Sequence, residues 1–172
     1  MTNELDIRVT TARLVLVPVT AAVARLALRD RGALAAAVGR SIGGEWPPED
    51  LRDALAVHAG ELERDRGARG WGVWMALLGA GGPLVGSAGF KGRPDRTGTV
   101  EIGYGIEAPF RRRGLATEAV TGLLRWAWER GAERAVAECD PSNAASIGVL
   151  RRVGMRRIGM RAGMWWWEVL RP

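Results

Sequence analysis

The sequence predicts an α+β domain built on a mixed, mostly antiparallel sheet, and three features point there. Apolar runs separated by glycine- and proline-rich turns occupy the middle of the chain, helical periodicities lie before and after them, and further strand-like runs stand towards both ends. At 172 residues, with 47% hydrophobic and 26% charged residues, the chain can bury one ordinary core. A single domain over residues 1–172 is expected, with residues 1–10 as a flexible N-terminal arm.

Taken in order, "RLVLVPV" from Arg13 to Val19 reads as a strand, and Thr20 is placed to cap an alanine-rich helical segment reaching about Val38. "SIGGEWPP" breaks that segment. Glu49 and Asp50 then load the first turn of a helix, where carboxylates complement the dipole, and Leu51, Leu55, His58 and Leu62 share one of its faces. "WGVWMALL", "LVGSAGF" and "GTVEIGYGI", divided by "GAGGP" and "KGRPDRTG", have the pattern of an antiparallel meander. Leu115, Ala119, Val120, Leu123 and Ala127 recur at helical spacing. "RAVAEC" follows as a strand, "SNAASIGVLRRVGM" as a helix closed by Gly154, and "MWWWEVL" as a last strand in which Trp165, Trp166 and Trp167 alternate faces.

The formal net charge of +6 is carried almost entirely by arginine, because Lys91 is the only lysine. Such a balance favours anionic partners without separating nucleic acid from a phosphorylated small molecule. Cys139 is the only cysteine, which excludes an intrachain disulfide and a cysteine zinc site, and no metal is expected. Glu4 and Asp6 argue against a secretory signal, and "WGVWMALLGAGGPLVG" is interrupted well short of a membrane span. A cytoplasmic protein that does not engage membranes is expected.

The chain concentrates charge in "RRRGLAT", residues 111 to 117, at the point where a helix begins. Backbone N–H groups from Arg112 to Ala116 have no partner within the helix there, and they point at whatever lies beyond its end. A phosphate would gain charge-assisted hydrogen bonds and the favourable end of the dipole. Neither Gly-Lys-Ser/Thr nor Gly-x-Gly-x-x-Gly occurs, leaving Arg-x-x-Gly-x-Ala, which is readable as an anion cradle or as a plain basic helix start.

"EIGYGIEAPFRRRGLATEA", followed by "AECDPSNAASIGVLRRVGM", resembles the acetyl-CoA-binding motif and the next motif of the GNAT family of N-acetyltransferases. The branch it is most similar to is that of the RimJ/RimL-like ribosomal-protein N-terminal acetyltransferases, and "TTARLVLVPVT" resembles the first strand of that branch. The likeness spans about residues 10 to 170. It implies an α/β/α sandwich whose splayed sheet has about seven strands flanked by about four helices. It also implies transfer of an acetyl group from acetyl-CoA to a primary amine, on a small molecule or a protein N-terminus, by direct attack in a ternary complex.

Arg111, Gly114 and Ala116 match the family signature. By resemblance, the amides of Arg111, Arg112, Arg113, Gly114, Leu115, Ala116 and Thr117 would hold the pyrophosphate of coenzyme A, with Thr117 adding a hydroxyl. Arg112 stands where relatives often carry glycine, and a small effect is expected. The strand ending at Ile106 would lie along the pantetheine arm, Asn143 would bond it, and Ser146 would lie near the thiol. Glu138 matches the base of related enzymes, while Glu101, on the strand facing the cofactor, is a second candidate for that role. Leu150 replaces the tyrosine that relatives use as general acid, which makes Ser146 the candidate acid. Glu45 and Trp46, in "GGEWPP", fall where the family binds its acceptor. Tyr104, His58 and Cys139 are expected to pack in the interior.

Two other functions are open at this stage: a coenzyme A-binding relative altered in catalysis, and a nucleic-acid-binding module using Arg111 to Arg113 and the run from Arg151 to Arg161. The latter predicts aromatic side chains interleaved with the basic runs, which the sequence lacks. The tryptophans of the last strand suit either a substrate cleft or contact with a second copy of the chain.

Overall fold

The computed structural model describes residues 7–79 and 81–172. Among these residues eight strands form one sheet, in the order β1-β2-β3-β4-β5-β6-β8-β7. They are β1 (Val9–Thr10), β2 (Leu14–Pro18), β3 (Val73–Leu78), β4 (Leu84–Phe90), β5 (Thr99–Ile106), β6 (Arg134–Cys139), β7 (Arg156–Arg161) and β8 (Met164–Leu170). The helices are α1 (Ala21–Arg29), α2 (Arg31–Val38), α3 (Glu49–Arg64), α4 (Leu115–Trp128) and α5 (Ala144–Arg152). The first six residues of the expected arm lie outside the described residues, while Val9–Thr10 at its end pairs with β2.

The alanine-rich segment expected as one helix to Val38 is two. Asp30 adopts an extended conformation, closes α1 through its own N–H on the Leu26 carbonyl, and accepts from the Ala33 N–H at 2.9 Å to cap α2. A short carboxylate competes for backbone amides in this way, so it favours a cap over a helix interior. Thr20 caps α1 as expected, accepting from the Val23 N–H at 3.2 Å.

Besides β1, the sheet gains β7, which forms an antiparallel edge pair with β8. Its arginines are spread over neighbouring groups: Arg156 pairs with Glu168, and the guanidinium groups of Arg157 and Arg161 lie 4.5 Å and 5.4 Å from the ring centres of Trp165 and Trp166. Cation–π contacts and a nearly buried carboxylate therefore take up charge that the sequence presents as one basic run.

Helices α4 and α5 cover one face of the sheet, in a core that includes Leu14, Trp74, Val100, Ile102, Leu123, Leu150 and Trp167. The second core lies on the opposite face under α1 to α3, with Val19, Leu34, Trp46, Leu55, Met75 and Leu84. All neighbouring strands are antiparallel except β5 and β6. That parallel pair holds only over Thr99–Glu101 and Arg134–Val136, although β5 runs on to Ile106 and β6 to Cys139. The two strands part there and open a wedge in the sheet.

Candidate active site

Strand alternation divides the wedge chemically. Along β5, Val100, Ile102, Tyr104 and Ile106 belong to the core beneath α4 and α5, as do Ala135, Ala137 and Cys139 of β6. Glu101 and Glu138 take the alternate positions on the two strands and so face the other way. Hydroxyl groups stand on one side of the gap and carboxylates on the other.

On the hydroxyl side, the Tyr104 phenol meets the Ser146 hydroxyl at 2.9 Å and donates to the Ser146 carbonyl at 3.2 Å. These bonds tie β5 to the first turn of α5 across the wedge. Burial pushes the Tyr104 phenol up to about 12, with the Ser146 bond a smaller opposing influence. Tyr104 therefore stays protonated throughout the physiological range. Asn143 caps α5 by accepting from the Ser146 N–H at 3.0 Å. Leu150 is fully buried in the core and Cys139 is buried beside it, and burial pushes the Cys139 thiol up.

On the carboxylate side, the Lys91 ammonium lies 2.9 Å from Glu138 Oε1 and forms an ion pair with Glu101. Partial burial pulls its pKa down, yet the contacts with Glu101 and Glu138 outweigh that and hold it above the ordinary value. The two candidate bases are thus bridged by the chain's only lysine.

The arginine-glycine loop lies between the end of β5 and α4. Gly114 caps α4 with φ 74° and no side-chain bond, and Arg112 also takes a left-handed φ of 61°. That conformation costs a residue with a side chain about 1–2 kcal/mol, strain that a glycine at Arg112 would not carry. The first backbone N–H of α4 to bond back along the chain is that of Glu118, on the Gly114 carbonyl. Thr117 Oγ1 is buried and has no hydrogen-bond partner among the described residues. A buried hydroxyl beside free helix-start amides is a donor set suited to phosphate oxygens.

The arginine side chains of the loop support the backbone. Arg111 Nε donates to the Ile106 carbonyl at 2.8 Å, which brings the loop against the end of β5. Arg113 donates to the Pro109 carbonyl at 3.2 Å. From the bend just before β2, Arg13 Nη1 donates to the Arg113 carbonyl at 2.7 Å, while its Nε donates to Glu118 at 2.7 Å. Thr11 and the Arg13 backbone N–H also donate to Glu118. Burial pushes the Glu118 carboxyl up, but these bonds together hold it below its usual range. Residues 100 to 107 positions away thereby fix the loop's shape.

The acceptor pair expected from the sequence divides. Trp46 is 2% exposed, its ring packed in the second core. Glu45 is exposed, and its N–H donates to Glu107 at 2.9 Å, which pins this loop to the end of β5. His58 is buried in α3, with its pKa lowered by that burial, and takes the interior role expected of it.

Arg13, Lys91 and Tyr104 were not singled out by sequence pattern as site residues. The available signals were slight: Lys91 and Tyr104 are each the only residue of their kind in the chain. Among the described residues no helix is long and apolar enough to cross a membrane.

The acetyltransferase (GNAT) domain family matches residues 13–156. An uncharacterised N-acetyltransferase of Bacillus subtilis, YjdG, is 32% identical over 118 residues, or 68% of this chain and 70% of that protein. Among solved structures, a GNAT-family acetyltransferase from Bacillus anthracis aligns with a TM-score of 0.66 at 20% identity, covering 95% of this chain and 98% of that one. RimL, a ribosomal alpha-N-protein acetyltransferase in complex with coenzyme A, aligns with a TM-score of 0.64 at 20% identity, over 95% and 98% of the two chains. At such identities the solved structures speak for the fold.

Proposed function

The chain belongs to the GNAT acetyltransferase family, and on that premise we propose that it moves an acetyl group from acetyl-CoA to a primary amine, with a protein or peptide N-terminus as the favoured acceptor. The observation that carries this reading is the wedge between β5 and β6, which leads to the open amides of the α4 N-terminus. The buried, unpartnered Thr117 hydroxyl fits a pyrophosphate at that end. The free backbone edge of β5 beyond Glu101 suits a pantetheine arm, because an extended chain of amides can pair there as an added strand does. Asn143 spends its carbonyl oxygen on the α5 cap, which leaves its amide nitrogen to donate to the same arm.

In the proposed reaction the neutral amine attacks the thioester carbonyl carbon from the Glu101 and Glu138 side. The new C–N bond forms, the oxygen gains negative charge, and a β5 backbone N–H stabilises it; the C–S bond then breaks, and the thiolate leaves on the Tyr104 and Ser146 side. One proton passes from the amine to a carboxylate, directly or through water. Another passes from the Tyr104–Ser146 pair to the thiolate and is replaced from solvent. An α-amine, with an ordinary pKa of about 7.7–8.0, loses its proton far more readily than a lysine-like amine at about 10.4. That difference favours an N-terminus, as does the similarity to RimL.

Calorimetric titration with acetyl-CoA at physiological salt, with a short DNA duplex as control, tests the ligand. Saturable binding of acetyl-CoA alone is expected, followed by thiol release on addition of peptides with free N-termini. Binding of DNA without acetyl-CoA would overturn the reading and return the arginines to a nucleic-acid role.

Tyr104→Phe is expected to lower kcat by about 10- to 100-fold while leaving acetyl-CoA affinity within a factor of about two. Because the phenol titrates only near 12, wild-type kcat should show no alkaline decline from it up to about pH 10. Ser146→Ala should cause a similar loss, and the double variant little more, since the hydroxyls act in series. Additive losses in the double variant would separate the two groups.

A further inference from the structure

We propose that Lys91 is a built-in placeholder for the acceptor's ammonium, seated between Glu101 and Glu138 and displaced when the acceptor arrives. The inference rests on the acetyl-transfer reading for its functional meaning, but the seat itself is a feature of this chain alone.

Lys91 follows β4 directly, and its backbone N–H donates to the Glu101 carbonyl at 2.9 Å. Its stem therefore starts beside the vertex of the wedge. The side chain is 56% exposed, so the ammonium reaches the two carboxylates from the solvent side. It lies 2.9 Å from Glu138 Oε1, with Glu101 on its other flank. Glu101 Oε1 is buried and takes the Lys91 ammonium as its charge partner. One ammonium thus serves both carboxylates, the more buried Glu101 and the more exposed Glu138. A primary ammonium entering from the same side would bring three donors on a short stem and could align with both.

The physical balance favours exchange. A half-exposed ion pair contributes little net free energy and gives up a long flexible side chain's entropy to form. An incoming ammonium held by the rest of its own molecule can therefore compete for the seat. While Lys91 occupies it, the pair of carboxylates does not face water or small metal cations with two unpaired charges. Once Lys91 swings out, the acceptor nitrogen stands between the groups that would take its proton. Lys91 is on this account a positioning residue, because it acts through the carboxylates and does not touch the reacting atoms.

Having one lysine makes the test direct. Protein labelled at lysine with 15N at Nζ gives a single side-chain ammonium resonance, which should titrate above the ordinary lysine value. Methylammonium, the smallest primary ammonium probe, should move that resonance saturably towards the value of free lysine, and Glu138→Gln should do so without it. In parallel, Lys91→Met should lower the KM for a tetra-alanine amide by about three- to tenfold, with kcat changed less than KM and acetyl-CoA affinity unchanged. A resonance unmoved by methylammonium overturns the placeholder, as does a KM in Lys91→Met that is equal to or above wild type. Absence of turnover with every amine would instead count against acetyl transfer, and the resonance would still decide the role of Lys91.

Discussion

Gly114→Trp is expected to abolish saturable acetyl-CoA binding while the protein keeps its far-UV circular dichroism and a cooperative unfolding transition. Gly114 is the residue immediately before α4, with φ 74°, and the nearest atom to a Cβ built there is Arg13 Nη2 at 3.4 Å. A side chain at this position therefore meets no core atoms and projects into the space beyond the helix N-terminus. The left-handed conformation costs a residue with a Cβ about 1–2 kcal/mol, a loss that a domain with a typical stability of about 5–15 kcal/mol survives. An indole there would stand where the open amides and the Thr117 hydroxyl are proposed to meet a pyrophosphate. Gly114→Ala separates strain from obstruction, since it carries the same backbone cost with little bulk. Binding should persist in the alanine variant and vanish in the tryptophan variant. Unchanged affinity in Gly114→Trp would remove the loop from the cofactor site.

The parts of this site that the sequence displays are those written in consecutive residues. The helix-start loop is legible because free amides, a glycine and an apolar periodicity fall within a few positions of one another. The meander is legible for the same reason, since its turns carry their own chemistry. The rest depends on distant pairings. Nothing local marks Arg13 as the residue that holds the Arg113 carbonyl and Glu118, because those bonds join the bend before β2 to the start of α4 about a hundred residues later. Lys91 bridges two carboxylates only because β5 and β6 are neighbours up to Glu101 and then part. The break at Asp30 was hidden by a run of alanines that would propagate a helix in the absence of the competing carboxylate. The burial of Trp46 is equally hidden, because its ring packs against helices and strands far from it in sequence.

Glu138→Gln should give the larger loss of turnover of the two carboxylate variants, with kcat falling about 100-fold and the acceptor KM changing less. Both groups lie on the side from which the amine is proposed to approach, so position alone does not choose between them. Their settings differ. Glu101 lies at the vertex, where β5 still pairs with β6 through Val136, and its Oε1 is buried. Glu138 lies two residues beyond that vertex, opposite Trp166 of β8, with its side chain 36% exposed against 23% for Glu101. A carboxylate that receives a proton and returns it to water on every cycle needs such access, whereas one that holds an ammonium in place does not. Glu101→Gln should accordingly raise the acceptor KM by about five- to twentyfold and lower kcat less than Glu138→Gln does. Measured kcat and acceptor KM of both variants with one peptide amine distinguish the assignments. If Glu138→Gln keeps the wild-type kcat and Glu101→Gln loses it, the base is Glu101; if both keep it and only KM rises, solvent takes the proton and the two carboxylates serve only to seat the amine.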